Sequence, residues 1–402
     1  MATVPTAQKN AFSSDLLLIH ETCRTSCGSQ RTRGQDHTWE IWLEFCAELE
    51  LDPFLENVQD AIPYLQVFAQ RYRDGRLSKS GKPVSSRCVE DALRAIGQTM
   101  ASVGSPDRRL DGASGGHEYR LHSLLAAWKR VDKPPERVKP VPLSVVEHIV
   151  SHATGAKGDA IGDLSQIGFF FLGRPGESTK TKSSDSLCDP FRLHDVEFHV
   201  DGKMFCAQNA PVESLVTAGS VTLVYSNQKN NVRSEGITHG LSGDPRLCPV
   251  KAVIRRVVHL RSHNAPPHTP LHCYYPSSDS LSPKSITSDH ITRTIRSSTA
   301  LLRPLLGIDP QTVSARSLRA GGATALLCAG VDPIITQLVG RWQSDEMLKY
   351  LHVRAVPLMQ RYAHKMLLSG QFTFLPNAAL PQQFLDRLTP AQRLELQNLP
   401  SL

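Results

Sequence analysis

The chain has 402 residues, of which 40% are hydrophobic and 6% aromatic, a length and composition typical of a globular protein with two domains. Its 45 lysines and arginines exceed its 38 aspartates and glutamates, and the resulting charge of +7 favours polyanionic partners. The nine cysteines lack the spacing of a disulfide framework, no apolar signal segment or other targeting signal is visible, and no apolar run approaches the length of a membrane span. These features predict an intracellular protein with no membrane association.

The N-terminal third of the chain is predicted to be helical. Residues 1–34 are polar and irregular, which indicates a flexible arm. Helices are predicted from Asp36 onwards and over about residues 58–71, 85–103 and 117–131. The first of them places Trp39, Trp42 and Cys46 on one face. Four helices of this kind predict a compact domain over residues 35–131.

A basic loop lies between the second and third predicted helices, in the segment RYRDGRLSKSGKPVSSR, where the only acid is Asp74. Its basic residues are Arg71, Arg73, Arg76, Lys79, Lys82 and Arg87. Because a flexible basic loop can follow a phosphate backbone, we predict that these six residues contact nucleic acid. A solvated surface loop is the alternative interpretation.

Residues 132–142 contain four prolines and predict an interdomain linker. Beyond this linker, helices are predicted over residues 143–153, with Ser144 as the N-cap, and over residues 162–172. Arg174 follows the second of these helices, and Glu177 lies in a helix that restarts near Pro175.

A small antiparallel sheet is predicted next. Residues 194–200, 220–227 and 233–239 alternate between apolar and polar side chains, and the last two segments are expected to form a hairpin. Lys229 lies at the tip of this hairpin, where a lysine is usually solvated but can also reach a substrate as an acid. The following helix, over residues 249–261, is expected to leave Arg255 and Arg256 in water.

The segment 259–273 contains four histidines and Cys273, but a Pro-Pro loop separates them and no CxxC pair accompanies them. We therefore predict no metal site here. A further helix over about residues 286–302 is expected to present Arg293 and Arg296 near one surface, as a second phosphate-contacting face.

The stretch from residue 314 to residue 352 carries the residue types of a phosphate site, namely Arg316, Arg319, Arg341, Trp342 and Tyr350. Arg319 is predicted to project from the first turn of a helix, and Asp332 to cap a second helix that ends at Gly340. Two guanidiniums can bind the non-bridging oxygens of one phosphate. A tyrosine becomes a nucleophile when cations or a base offset the cost of its ionisation, about 4 kcal/mol at pH 7. On residue types alone a structural interpretation stays open, with Arg319 paired locally and Tyr350 as a core aromatic residue.

The segments FLGRPGEST, the lysine hairpin, SLRAGGATALLCAGVD and GRWQSDEMLKYLH, in this order, resemble the catalytic domain of tyrosine recombinases, the phage-integrase-like family. The resemblance covers roughly residues 36–370 and is strongest to eukaryotic, Crypton-type or otherwise transposon-derived members. It implies a fold that is mainly α with a small antiparallel β-sheet. An N-terminal four-helix (SAM-like) core-binding domain would precede a mixed α+β catalytic domain over residues 143–375 and a tail over residues 376–402.

The resemblance also implies roles for individual residues. Arg174 and Arg319 match the two arginines of the family, and Lys229 matches the hairpin lysine that protonates the leaving 5′ oxygen. Tyr350 matches the nucleophile, and Glu177 the acid that supports the fold.

Two positions depart from the family pattern. Arg316 stands where a histidine is common, and a guanidinium cannot act as a base at neutral pH. Arg341 occupies the position after the glycine where histidine or tryptophan is common, and the neighbouring Trp342 can supply an indole N–H.

The implied function is site-specific recombination or integration of double-stranded DNA through a 3′-phosphotyrosine intermediate, without metal or cofactor. The resemblance further implies a tetramer assembled on DNA, in the nucleus if the host is a eukaryote. Two alternatives stay open. Arg316 favours a domesticated transposon relic that binds DNA without turnover, whereas a helical partner-binding protein would leave the ordered motifs unexplained. The active enzyme requires that Arg174, Arg319 and Lys229 converge on one cleft.

Overall fold

The computed structural model describes residues 29–78, 80–112, 115–134, 138–180, 189–226 and 235–342, together with a few isolated residues outside these ranges. The chain divides into two compact units, residues 1–136 and 137–402, and this division falls within the proline-rich segment 132–142. Among the helices that the structure describes, none is long and apolar enough to cross a membrane.

Within residues 29–134, the structure describes four long helices of the first unit. They are α1 (Ser29–Glu48), α2 (Ile62–Arg73), α3 (Ser86–Ser102) and α4 (Tyr119–Val131). Helix α1 begins before the predicted start at Asp36, inside the segment that we expected to be a flexible arm. Helix α2 begins at Ile62 and not near residue 58, because Pro63 fits only the first turn of a helix.

An aromatic cluster forms the centre of the first unit. The rings of Trp42, Phe45 and Phe68 lie 5.2–5.5 Å apart and are almost completely buried. The indole Nε1 of Trp42 donates a 2.9 Å hydrogen bond to the carbonyl of Pro53, so its polar atom is satisfied inside the core. This cluster joins α1 to α2, the helix that carries Arg71 and Arg73 in its last turn.

The second unit is mixed. Its helices are α5 (Leu143–Ser151), α6 (Gly155–Phe170), α7 (Pro175–Ser178), α8 (Val212–Val216), α9 (Pro249–Ser262), α10 (Ser288–Leu301), α11 (Arg303–Leu306), α12 (Arg316–Cys328) and α13 (Pro333–Gly340). The predicted N-cap at Ser144 is wrong. The helix begins at Leu143, and Pro142, which has an extended backbone, is its N-cap. Asp332, in contrast, caps α13 as predicted, by accepting from the backbone N–H of Ile334.

A four-stranded antiparallel sheet lies in this second unit. Its strands are β1 (Val196–Val200), β2 (Lys203–Cys206), β3 (Ser220–Tyr225) and β4 (Glu235–Gly240), in the order β2-β1-β3-β4. A short pair, β5 (Cys273–Tyr274) and β6 (Lys284–Ser285), forms separately. The β3–β4 hairpin is confirmed, with Tyr225 opposite Glu235. The combination of many helices with a small antiparallel sheet confirms the predicted secondary-structure class.

The expectation that Arg255 and Arg256 remain in water is wrong for Arg256. Its side chain is buried and donates to the carbonyls of Leu271 and Cys273, at the edge of the short β5–β6 pair. Arg256 occupies the inner face of α9 together with Val253 and Val257, so its stem packs with the core while its head satisfies strand carbonyls. Arg255 is half-exposed and donates a 2.7 Å hydrogen bond to Asp163 on α6.

Two consecutive glycines bring α12 close to α6. A Cβ atom at Gly321 would overlap the carbonyl of Val141, and one at Gly322 would overlap the carbonyl of Phe169. This backbone contact places the first turn of α12, with Arg319, beside the C-terminal end of α6. The segment that follows α6 carries Arg174.

Candidate active site

The main-chain carbonyl of Leu172, just after α6, lies at the centre of the site. Leu172 adopts the left-handed conformation with φ +48°, which costs a non-glycine residue about 1 kcal/mol or more. Its carbonyl accepts a 2.8 Å hydrogen bond from Nη1 of Arg319, and Nη2 of Arg341 lies 3.5 Å from the same oxygen. A strained main-chain turn therefore brings two guanidiniums together.

Glu177 provides a buried carboxylate beside the Leu172 carbonyl. Helix α7 begins at Pro175, which fixes the turn so that Glu177 Oε2 accepts from the backbone N–H of Arg174 at 2.7 Å. Nη1 of Arg174 donates to Oε1 at 3.1 Å, and Arg341 donates to both carboxylate oxygens, at 3.0 and 3.4 Å. The Glu177 side chain is fully buried, so its charge is balanced inside the protein by these two arginines.

Arg319 lies in the first turn of α12, as predicted, but the expectation that it projects from this turn is wrong. The residue is only 4% exposed, and it donates to the carbonyls of Leu172 and Gly340. The indole ring of Trp342 lies over its guanidinium, 4.2 Å from Cζ to the ring centroid. The close packing of α12 on α6 turns this arginine inward, and Trp342 covers it.

Arg341 forms the C-cap of α13 in a left-handed conformation with φ +56°. Its guanidinium lies 3.5 Å above the ring centroid of Tyr225, at the end of β3. Tyr225 is buried, and burial raises the pKa of its phenol above the ordinary value, so the ring remains neutral at physiological pH. Arg341 is therefore held between an aromatic face and a carboxylate.

The structure thus brings together Arg174, Arg319, Arg341 and Trp342 of the predicted catalytic residues. Arg174 and Arg341 share Glu177, and Arg319 and Arg341 share the carbonyl of Leu172. The side chain of Arg174 is 21% exposed and that of Arg341 is 2% exposed, and Arg319 as a whole residue is 4% exposed. Arg174 is therefore the most solvent-accessible of the three arginines. Preorganised guanidiniums in a buried setting are suited to stabilise charge that develops on a phosphate.

Of the other three predicted catalytic residues, the structure describes Arg316 alone. Arg316 is exposed on the first turn of α12, and within the described residues no contact joins its side chain to the three arginines. Lys229 and Tyr350 lie outside the described residues.

The predicted phosphate-contacting residues of the basic loop have several acidic partners. Arg71 pairs with Glu48 at 2.9 Å, Arg73 with Asp132 at 2.7 Å, and Arg76 with Asp74 at 3.1 Å. The first two of these acids come from other parts of the unit, so the loop sequence alone did not reveal them. Lys82 and Arg87 are exposed, and Lys79 lies outside the described residues.

The second predicted phosphate-contacting face lies on α10. Arg293 is exposed, and its Nε is 3.4 Å from the carbonyl of Asp289 in the preceding turn. Arg296 is half-buried and donates to the carbonyls of Val313 and Gln311, just before α12. Arg296 thus connects α10 to the segment that precedes α12, whereas Arg293 faces solvent.

Sequence reasoning missed Tyr225 and Leu172. Tyr225 was visible only as one residue of an alternating strand next to the hairpin tip. The role of Leu172 belongs to its main-chain carbonyl, for which no side-chain pattern exists. Within the described residues, no group of three or more histidine, cysteine, aspartate or glutamate side chains is arranged to hold a metal ion.

No family model matches the sequence, and no curated protein matches it. Among solved structures, the chain is similar to XerA recombinase, with 13% identity, a TM-score of 0.36, and coverage of 87% of this chain and 97% of that one. It is similar to lambda integrase bound as a dimer to a COC′ core site, with 13% identity, a TM-score of 0.45, and coverage of 85% and 96%. It is also similar to the Tn1549 transposon integrase in complex with transposon right end DNA, with 11% identity, a TM-score of 0.43, and coverage of 83% and 99%.

Proposed function

We propose that this chain is a site-specific DNA recombinase or integrase that breaks and rejoins double-stranded DNA through a 3′-phosphotyrosine intermediate. The observation that carries the proposal is the convergence of Arg174, Arg319 and Arg341 on one carboxylate and one carbonyl. Arg174 comes from a segment that is distant in the sequence from Arg319 and Arg341, and each of the three belongs to a motif that resembles the tyrosine recombinases. The same resemblance adds Lys229 and Tyr350, and suggests a transposon-derived, Crypton-like origin.

The chemistry is a transesterification. The hydroxyl oxygen of Tyr350 attacks the phosphorus, its proton passes to water, and the bond from phosphorus to the 5′ oxygen breaks. Lys229 gives a proton to that oxygen, while Arg174 and Arg319 donate hydrogen bonds to the phosphate oxygens as charge develops. Attack by a 5′-hydroxyl on the phosphotyrosine reverses these steps and rejoins a strand, so no external energy source is needed.

The remaining positions receive supporting roles. We propose that Trp342 covers Arg319 and offers its indole N–H to the phosphate, and that Arg341 occupies the place common to histidine in this family. Arg316 cannot accept a proton at neutral pH, so it would contribute charge only.

In the first unit, residues 35–131 would form the core-binding domain on duplex DNA, joined by the linker 132–142 to a catalytic domain over residues 143–375. DNA contacts would come from the basic loop and from Arg293 and Arg296. A tetramer on DNA, to which the tail 376–402 can contribute, would complete strand exchange.

The nucleophile is tested by the substitution Tyr350→Phe. We expect this variant to bind DNA as well as the unmodified protein but to form no covalent adduct on a nicked or phosphorothiolate substrate, because the attacking oxygen is gone. The matched control is Tyr362→Phe, which removes a hydroxyl twelve residues further on and should leave adduct formation unchanged. Denaturing gel electrophoresis detects the adduct, and mass spectrometry identifies the modified residue. An adduct formed by Tyr350→Phe would assign the nucleophile to another residue.

A second candidate function is a catalytically impaired, domesticated DNA-binding protein, which the exposed Arg316 in place of the usual histidine favours. The same experiment separates the two. DNA binding by the unmodified chain without any adduct on the trapping substrates would select the impaired protein.

A further inference from the structure

The guanidinium of Arg341 is fixed from two sides. On one side it makes two nearly parallel contacts with the carboxylate of Glu177, at 3.0 and 3.4 Å. On the other side lies the face of the Tyr225 ring, 3.5 Å from Cζ to the centroid. A planar guanidinium stacked on an aromatic face and paired with a carboxylate has little freedom to rotate.

Tyr225 is itself immobilised by packing. Its residue exposure is 2%, and its ring meets that of Phe191 edge to face, with 4.7 Å between centroids. Its hydroxyl lies at 3.5 Å from the carbonyl of Phe171, a distance at which a hydrogen bond is weak. The contact with Arg341 therefore depends on the aromatic face of Tyr225 and hardly on its hydroxyl.

The Glu177 carboxylate connects the fixed guanidinium of Arg341 to Arg174. The carboxylate that Arg341 orients also accepts from the backbone N–H and from Nη1 of Arg174, the most exposed arginine of the cluster. A rotation of Arg341 would turn the carboxylate and with it the guanidinium of Arg174.

Tyr225 also ends β3, where the hairpin that carries Lys229 begins. It lies opposite Glu235 at the last paired position, and the next residue, Ser226, donates a 2.6 Å hydrogen bond to Asp195. The base of the lysine hairpin is thus attached to the arginine cluster through Tyr225.

We propose that Tyr225 and Arg341 are positioning residues, which set the orientation of Glu177 and, through it, of Arg174. This inference rests on the proposed function and adds a pair of residues that orients the arginine nearest to solvent. Neither side chain needs to touch the phosphate for this role.

Three variants test the pair in the full chain. Tyr225→Leu removes the aromatic face, Tyr225→Phe keeps it, and Tyr274→Leu removes a different buried tyrosine ring in the same unit as a matched control. We expect Tyr225→Leu to slow adduct formation at saturating DNA by roughly 10- to 100-fold, since small displacements of reacting groups have effects of this size. Its dissociation constant for DNA should stay unchanged, and Tyr225→Phe should restore the rate.

A second readout does not require activity. Trp342 is the only tryptophan after residue 128, and in protein labelled with 5-fluorotryptophan its ¹⁹F resonance can be assigned by loss of the signal in Trp342→Phe. Tyr225→Leu should move this resonance, because Trp342 follows Arg341 and covers Arg319, whereas Tyr225→Phe and Tyr274→Leu should leave it in place.

If Tyr225→Leu keeps the wild-type rate of adduct formation and the wild-type ¹⁹F resonance of Trp342, the inference is wrong. Equal slowing in Tyr225→Phe and Tyr225→Leu would overturn it too, because the hydroxyl would then be responsible. Equal effects of Tyr225→Leu and Tyr274→Leu on rate, resonance and thermal unfolding would reduce Tyr225 to a core residue. If the unmodified chain forms no adduct at all, the proposed function fails, and the resonance alone decides whether Tyr225 positions Arg341.

Discussion

At the scale of single residues, the site depends on one buried charge. Glu177 accepts hydrogen bonds from a backbone N–H and from two guanidiniums, and its side chain has no exposed surface. A buried ion pair gains little over an apolar core, but the loss of one partner leaves an unbalanced charge in a medium of low polarity. Glu177 is therefore important for stability as well as for the arrangement of the arginines.

The substitution Glu177→Gln tests this dependence. We expect it to destabilise the second unit by about 3 to 5 kcal/mol, because the buried guanidinium of Arg341 would lose its counter-charge. The control is Glu213→Gln, an exposed acid in the first turn of α8, which should change stability by less than about 0.5 kcal/mol. Calorimetry of the full chain measures both, and a cost below about 1 kcal/mol for Glu177→Gln would contradict the central role of this carboxylate.

At the scale of elements, the approach of α12 to α6 decides where Arg319 lies. Because the carbonyls of Val141 and Phe169 occupy the space where side chains would start at Gly321 and Gly322, only glycine allows this separation between the elements. A wider gap would carry Arg319 away from the carbonyl of Leu172.

The substitution Gly322→Ala should therefore destabilise the unit by roughly 1 to 3 kcal/mol, as expected for an overpacked contact, and lower adduct formation with it. Gly158→Ala is the matched control within α6, where the new methyl group would make ordinary contacts with Ala153. In a helix interior that change stabilises by about 0.5 to 1 kcal/mol. Thermal unfolding compares the two variants, and a neutral Gly322→Ala would show that the helices can move apart without cost.

The helices and strands also show how much of the fold can be predicted from the sequence. Apolar periodicity placed the four helices of the first unit and the β3–β4 hairpin close to where the structure has them. It placed the start of α6 too late, because the first half of that helix, residues 155–162, contains three glycines and gives a weak helical signal. Strand β2 was missed because three of its four residues are exposed, so no alternation marks it.

For the site, the sequence identified the arginines through their ordered motifs, but not what holds them. The burial of Arg319 and Arg341, the ring of Tyr225 and the carbonyl of Leu172 all depend on tertiary contacts over long separations. The three ion pairs of Arg71, Arg73 and Arg76 were missed in part for the same reason, because Glu48 and Asp132 are distant in the chain.

At the scale of the whole molecule, the net charge of +7 is modest, so the proposed binding of DNA would depend on local groups of cations. Several arginines of the first unit are held by acids, and these contribute less to counterion release than an exposed cation does. Arg87, exposed at the start of α3, is the residue that we propose as a phosphate contact.

Affinity for duplex DNA should fall steeply with salt, with a slope in a double-logarithmic plot of about −0.9 for each phosphate contacted. We expect Arg87→Gln to weaken binding and to reduce this slope by about one contact. Arg120→Gln is the control, since Arg120 is already paired with Asp60 and Glu118, and it should leave the slope unchanged. Fluorescence anisotropy at several salt concentrations measures both slopes, and salt-independent binding would exclude the phosphate backbone as the main contact.

The strained turn at Leu172 has a consequence for how this site can change in evolution. Its contribution to the arginine cluster is a main-chain oxygen, and no point mutation can delete a carbonyl group. Sequence drift at this position is restrained by the left-handed backbone, which glycine and asparagine adopt more readily than leucine, and by the burial of the side chain. The main-chain part of the site is hardest to recognise by comparing side chains. It is thus also the part that can be retained through the greatest sequence divergence.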